Sequence, residues 1–168
     1  MHSDEREYCA RCGGRLEPRE GVPHRLCLAC GEINYRNPAV GVAVVLLQGD
    51  SILLGRRNRG PWSGLWCIPC GYLEWDEDVR DGARREMKEE TGLDVELGEV
   101  CAVLSNFHDR PRQTLGVWFH GREVGGALEA GDDLGEVRYF PLRAPPPLAF
   151  PTDVEVIRNL AARVLDID

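Results

Sequence analysis

No stretch of this 168-residue chain is long and apolar enough to cross a bilayer. The longest such run, residues 39–47, has nine residues, where a spanning helix needs about 20. The opening Met-His-Ser-Asp-Glu-Arg-Glu has no apolar signal-peptide core, so the expected setting is the cytoplasm, where thiols stay reduced. A surplus of basic charge is missing as well. The net charge is −8; residues 1–36 carry six acidic and six basic side chains, and the remainder carries twenty-two against fourteen. That balance argues against a general nucleic-acid binder, which needs a basic face to displace counterions from phosphates. It leaves room for a small phosphorylated substrate whose charge is neutralised by a bound metal. The four histidines, His2, His24, His108 and His120, show no ligand spacing among themselves. Repeats and low-complexity tracts are absent, and Pro145-Pro146-Pro147 marks a stiff loop.

Cysteine, by contrast, is plentiful and patterned. Cys9 and Cys12 form one C-x-x-C pair and Cys27 and Cys30 another, fourteen residues apart, each followed at once by a glycine. Two such pairs read as a four-thiolate tetrahedral Zn²⁺ site, with the glycines permitting the tight return of each knuckle. A ribbon over residues 1–36 is too small to stabilise itself by burial, so the zinc is expected to be structural. His24 reads as a surface residue of that ribbon. A third pair, Cys67 and Cys70, has no partner pair; it reads as buried small hydrophobes, with a redox switch or further metal site as the alternative.

The densest pattern runs from Gly71 to Leu93. Residues 78–90 have helical spacing, with Val79, Ala83 and Met87 as the core-facing stripe. Glu90 projects within that stripe, Glu86 at its edge and Glu89 a little further round. A surface helix would place carboxylates on the opposite side, so a cation is expected there. Clustered hard oxygens suit Mg²⁺ or Mn²⁺ held jointly with substrate phosphates. Asp76 or Glu77 is the expected N-cap, and Gly92 the left-handed C-cap.

Gly71, Glu77, Arg85, Glu86, Glu89, Glu90 and Gly92, with Met87 and Leu93 at the two apolar positions, match the Nudix box G-x5-E-x7-R-E-U-x-E-E-x-G-U, where U is apolar. The segment resembles that family at every position of the box, although Cys70 stands where many relatives carry a second glycine. The resemblance implies a hydrolase of nucleoside diphosphates linked to another group. It implies Glu86, Glu89 and Glu90 as ligands of Mg²⁺ or Mn²⁺, Arg85 as the residue that orients them, and Glu77 as a brace or a ligand through water. It also implies an α/β fold, the Nudix α/β/α sandwich with a mixed sheet, over residues 37–168 behind the zinc ribbon.

The rest of the chain agrees with a layered α/β arrangement. Strands are expected over residues 39–48 and 51–57, joined at Gly49-Asp50, then 66–71 as a short strand broken by Pro69 and Gly71, and 95–107, 115–124 and 136–140. A closing helix carries Val154, Ile157, Leu160, Ala161 and Val164, capped near Thr152 or Asp153. For the proton acceptor outside the box the candidates are Asp132, Asp133 and Glu136, with Glu136 preferred. Arg56, Arg57 and Arg59 could bind phosphates in bidentate fashion, or be solvated strand-end charges. Phe150 and the loop over residues 106–110, with Phe107, His108 and Arg110, could stack on or hydrogen-bond a base, or simply be core.

Ribbon followed by box resembles Nudix hydrolases that act on NADH, ADP-ribose or FAD. The leading expectation is therefore cleavage of such a small-molecule nucleotide into two monophosphates. The alternatives are a sanitising nucleoside triphosphate pyrophosphohydrolase, an RNA cap remover and a ligand sensor without catalysis. A homodimer is compatible with all of these.

Overall fold

The structure, a computed structural model, describes residues 6–109 and 112–165. His2, Arg110 and the side chain of Val164 lie outside the described residues. The chain divides into two compact units, Met1–Pro38 and Ala39–Asp168.

In the first unit β1 (Leu16–Pro18), β2 (Arg25–Cys27) and β3 (Ile33–Asn34) form an antiparallel sheet in that order. Its core is Leu16 with Cys9 and Cys27. Two knuckles of the same form precede and follow β2. Gly13 donates its amide to the Cys9 carbonyl at 2.9 Å and Gly31 to that of Cys27 at 2.8 Å. Both glycines have φ above +70°, a conformation that a side chain would strain.

The second unit contains β4 (Ala39–Gln48), β5 (Ser51–Arg57), β6 (Trp66–Cys67), β7 (Cys70–Tyr72), α1 (Val79–Thr91), β8 (Leu93–Asn106), β9 (Thr114–Gly126), β10 (Leu134–Pro141) and α2 (Pro151–Leu165). The main sheet runs β10-β5-β4-β9-β8, with β6 added to β5 and β7 to β4. Strands β4 and β9 are parallel and the other pairs antiparallel, so the sheet is mixed. The strand expected over residues 66–71 is broken at Pro69, which cannot donate to a ladder, but not at Gly71, which pairs with Val42 inside β7.

The central strand β4 is apolar from Ala39 to Leu47, and its Val42–Leu46 stretch is covered on both faces. Val42, Val44 and Leu46 pack with Ala83 and Met87 of α1, together with Leu53 and Phe119. Ala43 and Val45 pack with Val156, Ile157 and Leu160 of α2, together with Ile52, Leu54 and Trp66. The helices therefore cover opposite faces, giving the Nudix α/β fold.

Both helix starts differ from expectation. The N-cap of α1 is Asp78, which accepts the Arg80 amide at 2.8 Å; Asp76 instead adopts φ 63° in the preceding turn. Helix α2 begins on Pro151, whose missing amide suits the first turn. Asp153 does not cap that helix but is buried. Its inner face is Asp153, Val156, Ile157 and Leu160, and Val154 is exposed. Of the expected stripe, Ile157, Leu160 and Ala161 do face the core, and Val154 alone among its described side chains does not.

Candidate active site

Helix α1 brings its carboxylates to one mouth of the sheet. Glu90 is 1% exposed and Glu86 9%, whereas the Glu89 side chain is half exposed. The Gly92 cap, φ 72°, ends the helix immediately after them. Burial pushes the Glu90 carboxyl well above the usual range, with Cys67 and Asp133 adding to the effect. Glu86 is raised by burial too, its contact with Arg85 opposing and Glu89 and Asp132 reinforcing the shift. Such carboxylates favour either a proton or a cation.

Arg85 organises the array. It forms a two-pronged pair with Glu77, Nε to Oε1 at 2.7 Å and Nη2 to Oε2 at 2.8 Å. Through Nη1 it donates to Glu86 at 2.8 Å and Glu89 at 3.0 Å, and through Nη2 to the Tyr72 carbonyl at 3.1 Å. The Arg85 hydrogen bonds hold Glu77 down at about 2. Glu77 also accepts the Glu74 amide, so both its oxygens are engaged in bracing, and it does not line the cleft. On the other side, Glu90 accepts the Cys70 amide at 2.7 Å. Gly71 leaves space where a β-carbon would overlap the Glu86 carboxylate.

These groups open into a cleft of about 630 Å³, within the range of small-molecule sites. One part is acidic, with Glu86, Glu90, Asp132 and Asp133. Another is aromatic and cationic: Trp62, His108 and Phe150 form a chain of ring contacts at 5.2 and 5.3 Å. Arg57 lies over Phe150 at 5.5 Å and pairs with Asp133 at 2.6 Å. Its Nε is buried and has no hydrogen-bond partner. Arg112 stacks on Tyr72 at 5.9 Å, and burial lowers the His108 pKa.

The cleft takes in Glu86, Glu90, Arg85, Arg57, His108 and Phe150 among the residues expected from sequence. Glu89, half exposed and paired with Arg85, is not among its lining residues, and neither are Glu136 and Arg56. They pair with each other at 2.9 Å, directly opposite in the β5/β10 ladder, because alternation along β5 turns Arg56 away from the side Arg57 faces. Of the three acids expected as proton acceptors, Asp132 and Asp133 reach the cleft, which Glu74 and Asp109 also line. Arg59 pairs with Asp132 and Phe107 is exposed. Trp62, Trp118, Tyr72, Arg112 and the cleft role of Asp153 were not anticipated. For Asp153 a signal existed: like Glu90, it is an acid within a helix's apolar stripe.

In the ribbon, the sulfurs of Cys9, Cys12, Cys27 and Cys30 all lie within 4.8 Å of one another, the only such group of metal-ligating side chains among the described residues. A β-carbon at Gly14 would crowd two of them. The amides of Arg11 and Cys12 draw the Cys9 thiol down to about 6, favouring the thiolate that a metal takes. The donor set and its closeness fit a structural zinc.

The comparisons with known proteins agree with this geometry. The model of the NUDIX domain matches residues 36–160. An ADP-ribose pyrophosphatase of Methanocaldococcus jannaschii is 37% identical over 117 residues, 69% of each chain. The NAD-capped RNA hydrolase NudC of Pseudomonas fluorescens is 28% identical over 97% of this chain and 56% of its own; the chain thus spans about half the length of its NudC relatives. A crystal structure of a NUDIX hydrolase from Nitrosomonas europaea superimposes with a TM-score of 0.76 at 30% identity, covering 91% of this chain and 89% of that one. Among the described residues no helix is long and apolar enough to cross a membrane. Family membership implies a divalent metal, and the buried carboxylates beside Gly71 have the hard-oxygen chemistry to hold one. The chain belongs to the Nudix family of hydrolases and is a Nudix pyrophosphatase.

Proposed function

We propose that the enzyme hydrolyses the P–O–P link of a nucleoside diphosphate joined to a second group, of the ADP-ribose, NADH or FAD class, giving two monophosphates. The observation that carries this reading is the two-part cleft, in which acidic side chains and a set of aromatic and cationic ones line a single space of about 630 Å³.

Glu86, Glu89 and Glu90 would hold Mg²⁺ or Mn²⁺, with Arg85 orienting Glu86 and Glu89 through its Nη1 hydrogen bonds. The bound ion supplies charge neutralisation at the bridging phosphates and acidifies a water. Asp133 and Asp132 are better placed than Glu136 to accept the proton, since only they line the cleft. Arg57, already partly desolvated, offers its guanidinium to a phosphate. Phe150, His108 and Trp62 supply faces for a base. Glu77 acts through Arg85 as a brace. The ribbon is held by one structural zinc, a thiolate site that supports the expected cytoplasmic setting.

A second reading has one specific support, the NAD-capped RNA hydrolases among the relatives; against it stands the net charge of −8. A Mg²⁺-dependent panel of ADP-ribose, NADH, FAD, nucleoside triphosphates and NAD-capped RNA, ranked by kcat/KM, tests both. AMP and a second monophosphate from a free dinucleotide or ADP-ribose, at the highest kcat/KM, is the expected result. Pyrophosphate released faster from a triphosphate, or preference for capped RNA, overturns it.

A further inference from the structure

The tripeptide Ile68-Pro69-Cys70 is held between two buried carboxylates on different helices. The Ile68 amide donates to Asp153 Oδ2 at 3.0 Å, and the Cys70 amide to Glu90 Oε2 at 2.7 Å. Pro69 between them has no amide hydrogen, and its carbonyl accepts the Val44 amide at 3.2 Å. Both backbone donors of the segment therefore end on carboxylates that are each 1% exposed. The second oxygen of Asp153 accepts Trp118 Nε1 at 3.3 Å. An aspartate among Val156, Ile157 and Leu160 is costly to bury, and an apolar residue would cover the same sheet face at no such cost.

We propose that Asp153 is a positioning residue for the divalent-metal site, setting the stance of Glu90 through the Ile68–Cys70 backbone. The proline locks φ, so a displacement of the Ile68 amide is passed to Cys70 and from there to the carboxylate it holds. This inference rests on the reading that Glu90 is a metal ligand. Asp153 also borders the cleft, but its action on Glu90 is through two amides.

Binding of Mn²⁺ to the full-length, zinc-loaded protein, without substrate, followed by the EPR signal of free Mn²⁺, tests it. In D153N the amide offers one acceptor oxygen and turns an NH₂ toward either Ile68 or Trp118, both donors. Mn²⁺ affinity should fall about 10–100-fold, the usual effect of removing a group that orients a ligand, while thermal unfolding stays cooperative. In D153N/W118F the indole donor is gone, the amide oxygen is free to accept Ile68, and most of the affinity should return. If D153N does not fold, D153E decides: it keeps two acceptors and the charge but moves the Ile68 amide, and affinity should again fall. Folded D153N, or D153E in its place, with wild-type affinity overturns the inference, provided E90Q has lost Mn²⁺ binding. If E90Q binds Mn²⁺ as the wild type does, the reading of Glu90 fails and the role of Asp153 with it.

Discussion

Gly71 and Glu86 occupy space that only a glycine leaves open: a β-carbon at residue 71 would fall on the Glu86 carboxylate carbon and both its oxygens. Gly71 is therefore required for room, its backbone being paired in register with Val42. Replacing it by alanine should push the flexible end of Glu86 aside while the sheet survives. The expected result for G71A is a kcat at least about 10-fold lower, with weaker Mg²⁺ dependence and a thermal midpoint within a few degrees of wild type. Unaltered turnover at saturating Mg²⁺ would show that Glu86 need not stand where the structure has it.

Glu89 and Glu90 differ in burial but share a proposed task. E89Q and E90Q should each lower kcat by roughly 100-fold or more, since an ion at this site supplies several kcal/mol of transition-state stabilisation. The two should part company in stability. Removing charge from buried Glu90 relieves desolvation and should raise the unfolding free energy of the zinc-loaded protein without Mg²⁺, whereas E89Q should leave it nearly unchanged. Steady-state kinetics beside urea titrations of the zinc-loaded, Mg²⁺-free protein would check both halves.

The ribbon should contain one zinc per chain, read by elemental analysis. C12S should expel it, because the binding energy of such sites, about 10–16 kcal/mol, is the folding energy of the module. Stoichiometric zinc in C12S would count against the four-thiolate assignment.

Stability should also depend on pH through Asp153. Burial pushes its carboxyl up from 3.8 to about 7, against the pull of the Ile68 amide, the Trp118 indole and Arg57. Between those two values the unfolded chain has released a proton that the folded chain retains. The group's stabilising contribution is thus complete at lower pH and is lost as pH rises through that window, by at most about 1.4 kcal/mol per pH unit. Urea unfolding at several pH values from about 4 to 8 should show this slope in wild type and a shallower one in D153N.

Much of this molecule was legible because local rules and tertiary demands coincide. The helix α1 stripe, the Gly92 cap and the strands over residues 39–48 and 51–57 follow from periodicity and turn chemistry, and the structure has both strands at those bounds. The four cysteines were readable because a C-x-x-C knuckle is a local geometry repeated twice. Glu90 could be singled out for one reason, that an acid on an apolar stripe contradicts its helix. The same contradiction at Asp153 is masked in sequence by its apolar neighbour Val154, which takes the first place of the expected stripe although Asp153 is the buried one.

What the linear chain determined, then, is the set of elements and the chemistry gathered within one helix or one knuckle, since those depend on neighbours a few residues apart. Only the tertiary structure decided which arginine faces the cleft, for strand alternation sends Arg57 inward beside Phe150 and Arg56 outward to Glu136. It alone brought Asp132 and Asp133 to the carboxylates of α1, Trp62 to His108, and Asp153 to the amide of Ile68 eighty-five residues earlier. These contacts join segments far apart in sequence. Their formation depends on the register of strands and the packing of helices on two faces of a sheet, and no local pattern encodes either one.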